Sequence, residues 1–362
     1  MSRIAEKDGI DHLIFYFYPP NLSTDLVVFA VSVTHCPNFP PMDRFKQIET
    51  FVTVAAKGSL SAAAQAEGVA PAIIGIRVEV PPDRPSALTL GAERWGSGVI
   101  FDAAGYGLTV SYLLIDAARV DVLLRDGTKV EAKVAGLDLE SGLGVIKLEG
   151  SGPWPTATLG SSAGLTVGAV TGTVGMDEEG SLVATPGAVK SIRSFAASWE
   201  YMLERALFVA PYNAAFGGAA LVDQTGAVVG ITSLRLGEAP FVNMAIPIEQ
   251  FLGGKDELIA RGRVESRPPR PWLGLYTRET DGGLMVAGVS PVGPARMAGF
   301  RPGDMIVRMN GQEVSSQADF YRRLWLGAPG QEIQLVVMRA TRLESITVRS
   351  VDRYRLFLTN DR

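Results

Sequence analysis

From residue 76 to about residue 252 the chain alternates short apolar runs with breaks rich in Gly, Asp and Pro. The runs are Val99–Phe101, Val120–Leu124, Val130–Val134, Val145–Leu148, Val167–Val174, Leu207–Ala210, Ala219–Val222 and Val228–Thr232. Runs this short, interrupted this often by turn formers, predict antiparallel strands that close into a barrel or sandwich. A second series follows Pro271: Trp272–Tyr276, Leu284–Val289, Met305–Met309, Ile333–Met338 and Ser345–Val351. Here Asn310-Gly311 marks a two-residue hairpin. One helix is expected among these strands, Ser316–Leu326, with Ser315 or Ser316 as its cap and Phe320, Leu324 and Tyr321 on its buried face. Between the two series, Gly253–Pro271 reads as a linker: one or two helical turns at Lys255–Arg261, then a stiff Arg267-Pro-Pro-Arg-Pro.

The N-terminal end has a different pattern. From Met42 to Ala56, apolar residues recur at Phe45, Ile48, Phe51, Val52 and Ala55, a helical stripe. Lys57-Gly58-Ser59 stops it, Ser59 or Ser61 can cap a second helix over Ser61–Glu67, and Gly68-Val-Ala-Pro71 is a turn. Two small helices around such a turn suit a helix-turn-helix. Residues 1–41 read as an irregular leader, whose apolar runs Leu13–Tyr18 and Leu26–Val33 are separated by Pro19, Pro20 and Asp25. Neither approaches the roughly 20 residues of a membrane helix. A secretory signal would need a basic start, one longer apolar stretch and small residues at the cleavage box, where Val33-Thr34-His35-Cys36 places a histidine. A cytoplasmic location is the expectation, with the periplasm as the alternative and Met42 as an alternative start.

Length and composition narrow the chemistry. A chain of 362 residues exceeds one compact core, so two or three domains are expected. A net charge of −4 offers no overall basic footprint for nucleic acid or anionic lipid. Residues 42–79 balance Arg44, Lys46, Lys57 and Arg77 against Asp43, Glu49, Glu67 and Glu79, too neutral to supply phosphate contacts. A single cysteine, Cys36, excludes an internal disulfide and any Cys-based zinc site. The histidines are His12 and His35, so nothing after residue 35 can use imidazole. No cofactor or metal is implied.

Several motifs carry resemblances. Met42-Asp-Arg-Phe-Lys-Gln-Ile-Glu-Thr-Phe-Val, Gly58-Ser-Leu-Ser-Ala-Ala-Ala and Gly68-Val-Ala-Pro resemble the start of LysR-type transcription regulators over residues 42–75. The resemblance ends where that family's recognition helix would continue. Ile73-Ile-Gly instead runs into Ile76-Arg-Val-Glu-Val-Pro-Pro, a strand pattern. DNA-binding regulation is therefore an alternative function, and a packed helical remnant is the expectation.

Gly96-Ser-Gly-Val-Ile, Ala219-Ala-Leu-Val-Asp-Gln-Thr-Gly-Ala-Val-Val-Gly-Ile and Asn243-Met-Ala-Ile-Pro-Ile-Glu resemble, in order, segments of the trypsin-like domain of HtrA/Deg proteases. That resemblance implies a double β-barrel over residues 76–252. It also locates the catalytic positions. The family's Leu-Thr-Asn-x-His-Val-Val is matched by Leu108-Thr-Val-Ser-Tyr-Leu-Leu, with Tyr112 at the base. Its Asp-x-x-x-Asp-Leu-Ala-Leu is matched by Asp138-Leu-Glu-Ser-Gly-Leu-Gly-Val, with Gly142 at the acid. Its Gly-Asn-Ser-Gly-Gly-x-Leu-Val is matched by Ala215-Phe-Gly-Gly-Ala-Ala-Leu-Val, with Gly217 at the nucleophile and Phe216 beside the oxyanion hole. Glycine has nothing to activate, and a tyrosine of ordinary pKa near 10 is a poor proton acceptor at neutral pH. A shifted alignment does not help, because no serine lies between Ser198 and Ser233, and Lys190 and Ser191 point apart along a strand.

Trp272-Leu-Gly-Leu resembles a PDZ carboxylate-binding loop, and Gly293-Pro-Ala-x-x-Ala-Gly-Phe-x-Pro-Gly-Asp-Met-Ile resembles the short-helix segment of bacterial PDZ domains. The resemblance implies a linker over 253–269 and a PDZ domain over 270–352. Backbone N–H groups near Leu273, Gly274 and Leu275 would receive a peptide carboxylate, with Phe320 and Leu324 near the pocket and the peptide added as a strand. The expected whole is a mainly β, catalytically inactive pseudoprotease that binds peptides or protein C-termini as adaptor, holdase or regulator. An active protease relative is a partner to consider. Family labelling alone would name it a serine endopeptidase. HtrA proteins often trimerise, which makes a homo-oligomer an alternative, although their trimer-forming N-terminal region has no clear match here.

Overall fold

A computed structural model describes residues 68–238 and 240–357, and for residues 12–16 and 28–32 the backbone alone. His12–Tyr16 and Val28–Ser32 pair antiparallel in a unit of their own over Met1–Thr53. The helix-turn-helix resemblance lies outside the described residues up to residue 67. Residues 70–75 form no recognition helix. A short 3-10 turn at Ala70–Ala72 leads straight into the strand Ile73–Glu79. The barrel thus starts three residues before the expected boundary at residue 76, because Ile73 is fully buried and already pairs with Val99.

The first barrel closes six antiparallel strands: Ile73–Glu79, Glu93–Asp102, Tyr106–Val110, Arg119–Leu123, Lys129–Asp138 and Leu143–Leu148. The second closes Val170–Met176, Leu182–Ala197, Tyr201–Ala210, Ala220–Val222, Val228–Leu236 and Val242–Pro247. Closure removes the exposed edges that would otherwise template aggregation. The expected strands are present and mostly longer than their apolar runs, since pairing carries each past its hydrophobic centre; the exception is Trp272–Tyr276, which breaks at Leu273-Gly274 into Pro271–Trp272 and the start of Leu275–Thr280. The 16-residue strand Leu182–Ala197 escaped the sequence pattern. It carries Pro186 and Gly187 and is half-buried along most of its length.

The C-terminal domain is a sheet of Leu275–Thr280, Gly283–Val289, Met305–Met309, Glu332–Arg339 and Arg342–Arg349 around the helix Gln317–Leu324. The Ser316 hydroxyl caps that helix by accepting from the Asp319 N–H. The segment from 253 to 269 is no loose tether. Its helix Lys255–Arg261 buries Leu258 against the first barrel, and Arg267 pairs with the buried Asp138 carboxylate at 2.6 Å. Among the described residues, no helix is long and apolar enough to cross a membrane.

Candidate functional site

Tyr112, Gly142 and Gly217, the three positions to which the resemblance points, meet at the junction of the barrels. Tyr112 sits on the one-turn helix Ser111–Leu114 that follows the strand ending at Val110. Its phenol donates to the Ser233 carbonyl at 2.9 Å across the junction. A Cβ built on Gly217 would lie 3.0 Å from that phenol oxygen, so the positions of nucleophile and base face each other. Burial pushes the Tyr112 phenol far above its ordinary pKa, so it holds its proton at neutral pH. Gly142 adopts φ +82°, and a Cβ there would stand 3.0 Å from the Tyr201 phenol oxygen. Its carbonyl accepts from the Ser111 N–H at 2.8 Å, which places it beside the Tyr112 turn. The loop around Gly217 is committed internally: its carbonyl accepts from Ser97, and the Gly218 N–H donates to Thr232.

The C-terminal domain docks on the same face. Tyr201 of the second barrel donates to the Ser141 carbonyl at 2.7 Å, and from the C-terminal side the Tyr354 phenol accepts from the Leu139 N–H at 2.8 Å. Glu140, 7% exposed, lies 3.0 Å from Arg270 and 3.5 Å from Arg353, and Arg353 also donates to the Leu139 carbonyl. The loop Asp138–Gly142 is therefore the seat of the second domain. Between the domains opens a cavity of about 520 Å³, whose lining includes Tyr112, Gly142, Ser233, Trp272, Gly274 and Phe357.

The Trp272-Leu-Gly-Leu loop holds a carboxylate, and it comes from the same chain. Glu200 accepts from the Leu273 N–H at 2.9 Å and the Leu275 N–H at 2.7 Å. Gly274, between them, has φ +79°, and a Cβ there would lie 2.8 Å from Gly293 Cα. Only glycine accepts both that backbone conformation and that approach at little cost. Phe320 and Leu324 are not at the pocket: both are buried in the domain core with Leu335 and Val337. The helix instead turns Gln317 and Tyr321, one turn apart, toward the groove beside Leu275–Thr280. There the Gln317 side chain donates to the Thr277 carbonyl and the Tyr321 hydroxyl lies 3.0 Å from that of Thr277. Leu273 and Leu275 contribute backbone donors to the loop and apolar side chains to the core. Glu200, Tyr201 and Arg353 carried no local motif in the sequence.

A trypsin-like peptidase domain model matches residues 96–231, and a PDZ domain model matches residues 271–349. The chain is 31% identical over 284 residues to the serine protease HhoA of Synechocystis sp., covering 70% of each protein. The chain belongs to the HtrA family. A DegP-like periplasmic serine endoprotease of Ectopseudomonas mendocina is 31% identical over 277 residues, and this chain spans 56% of that protein's length. Among solved structures, the HtrA-type protease AlgW with a decapeptide matches with a TM-score of 0.51 and 27% identity, covering 81% of this chain and 98% of that one. Within the HtrA frame, Tyr112, Gly142 and Gly217 stand at the junction of the barrels, and the Trp272-Leu-Gly-Leu loop lines the same cavity as Tyr112 and Gly142. Among the described residues, no three His, Cys, Asp or Glu side chains gather where they could hold a metal ion.

Proposed function

We propose that this chain is a catalytically silent HtrA-type protein that recognises peptide or protein C-termini through its PDZ domain, as an adaptor, holdase or regulator. An active relative of the same family is a partner compatible with that role. The observation that carries the reading is the contrast between the two sites. At the junction of the barrels Gly217 faces the half-buried, protonated phenol of Tyr112, with neither nucleophile nor base. Across the cavity, the N–H groups of Leu273 and Leu275 are aimed at one point and grip a carboxylate. A carboxylate receptor built from backbone donors, beside the sheet's edge strand and a helix, suits an extended peptide that ends in its own carboxylate.

The test uses the full chain and fluorescein-labelled decapeptides ending in Val, Leu or Phe, as free acids and as amides, read by fluorescence polarisation. The expected result is saturable binding of free acids, no binding of amides, and loss of binding in Gly274→Asp. Equal binding of acids and amides would remove the C-terminus reading.

A further inference from the structure

The carboxylate loop is filled by a segment that imitates a peptide. Leu182–Ala197 and Tyr201–Ala210 form a long hairpin of the second barrel, whose last pair is Ala197 with Tyr201. Its tip reaches into the PDZ groove. The Glu200 carboxylate, 2% exposed, sits on Leu273 and Leu275. The Ser198 carbonyl accepts from the Thr277 N–H at 2.9 Å, a bond of the kind an added strand would make. The Ala197 carbonyl accepts from the Tyr321 hydroxyl at 2.7 Å, and the Glu200 N–H donates to that same hydroxyl at 3.1 Å. Met202 joins the PDZ core. Carboxylate in the loop, backbone on the strand and contact with the helix together reproduce what a docked C-terminus would make. The turn that delivers Glu200 holds it at φ +56°, a conformation where glycine or asparagine is the ordinary occupant. Strain of that kind persists where surrounding contacts enforce it.

We propose that Glu200 is a built-in ligand of the PDZ loop, so that a peptide C-terminus enters only by displacing the hairpin tip at Ala197–Tyr201. This rests on reading the loop as a receptor for C-termini. A tethered ligand competes at a high effective concentration, and the apparent affinity of a free peptide falls in proportion to the fraction of open molecules. Displacement also carries a proton signature. Burial pushes the Glu200 carboxyl up to about 7, opposed by the N–H groups and by Arg353, with the phenols of Tyr276 and Tyr321 as its other titratable neighbours. Once the tip is displaced and exposed, that carboxyl returns toward its ordinary value of 4.5. A group whose pKa is raised in the closed form favours closure below the open-state value and loses that contribution as pH rises through the closed-state value. Opening is therefore easier at pH 8 than at pH 5, while the peptide's own carboxylate, of pKa about 3.5, stays charged throughout.

The experiment compares full-length wild type, Glu200→Ala and Glu200→Gln. The same free-acid decapeptides are used, and hydrogen exchange is read on the segment holding Leu273 and Leu275. Relative to wild type, Glu200→Ala is expected to tighten free-acid binding on the order of tenfold or more. Without peptide, its Leu273 and Leu275 amides are expected to exchange faster, and added peptide to restore their protection. Wild-type binding is expected to tighten from pH 5 to pH 8, and Glu200→Gln to flatten that rise. Equal affinity and equal exchange in wild type and Glu200→Ala would overturn the built-in ligand while leaving peptide recognition in place. If no peptide binds any form but the amides lose protection without Glu200, the built-in ligand stands and the receptor reading falls.

Discussion

Purified full-length protein, incubated with unfolded casein, is expected to release no peptides above a protein-free blank. The reason is additive in kind. Gly217 offers no oxygen to attack a carbonyl, Tyr112 has its proton locked on by burial, and Gly142 cannot orient a base. In subtilisin, removing the whole triad lowers turnover by about 2 × 10⁶. Here the remaining advantage of an oxyanion hole is reduced further, because the Ala215 N–H, two residues before the nucleophile position, already donates to the Asn213 side chain at 2.8 Å. Gly217→Ser alone is expected to stay silent, since the new hydroxyl would meet a phenol rather than an imidazole. Tyr112→His with Gly217→Ser restores a dyad but not its orienting acid, and the loss of that partner alone costs about 10⁴ in turnover in the serine proteases. The double variant should therefore show trace activity at most. A fluorophosphonate probe followed by intact mass gives the same readout without substrate choice. Turnover that follows the wild-type chain through successive columns and binds the probe would overturn the silent reading.

The second large effect is on stability, and it centres on Arg94. The residue is 6% exposed, and its guanidinium ties together the loop that carries Tyr112. It donates to the carbonyls of Gly91, Tyr112 and Ile115 at 3.0, 2.9 and 2.8 Å, and to the Ser86 hydroxyl at 2.8 Å. Desolvation lowers its pKa to about 10, partly offset by the Asp116 carboxylate, so it remains a cation at neutral pH. Arg94→Met keeps the length but leaves those carbonyls without their donor and takes a cation away from the Asp116 carboxylate, which keeps the Ser86 N–H at 3.3 Å. Removing one partner of such a set costs about 3–5 kcal/mol. At the size of these domains this corresponds to a fall in Tm of roughly 10 °C. Arg94→Lys should recover only part of it, because one ammonium cannot spread its donors over the same fork. Thermal unfolding of the three proteins checks this, and a Met variant melting within a degree or two of wild type would contradict it.

The fold was readable because its cues are local. Short apolar runs, frequent turn formers and the Gly-Asp and Asn-Gly turns each act within a few residues. Tyr112, Gly142 and Gly217, the positions the family resemblance singles out, are far apart in sequence, and the structure brings Tyr112 beside Gly217 and the Ser111 turn beside Gly142. Elsewhere the pattern falls short for physical reasons. Leu182–Ala197 is a half-buried hairpin arm interrupted by Pro186, so no apolar run announces it. Phe320 and Leu324 belong to the same helix as Gln317 and Tyr321, and only the packed sheet decides which face meets the groove. Glu200 meets Leu273 through the closed tertiary structure, across a separation of 73 residues, where periodicity carries no information. Arg94 looks like any strand arginine until the loop around it is folded.

The tail beyond the last PDZ strand has a mechanical meaning. Arg353 and Tyr354 moor the PDZ domain to the Asp138–Gly142 loop, while the hairpin tip moors it at the peptide groove. Two moorings on separate elements forbid the rotation that either alone would permit. Casting off the tip would leave the tail as a pivot, and the domain could then swing without leaving the barrels. The Asp138–Gly142 loop would then be the bearing on which that swing turns.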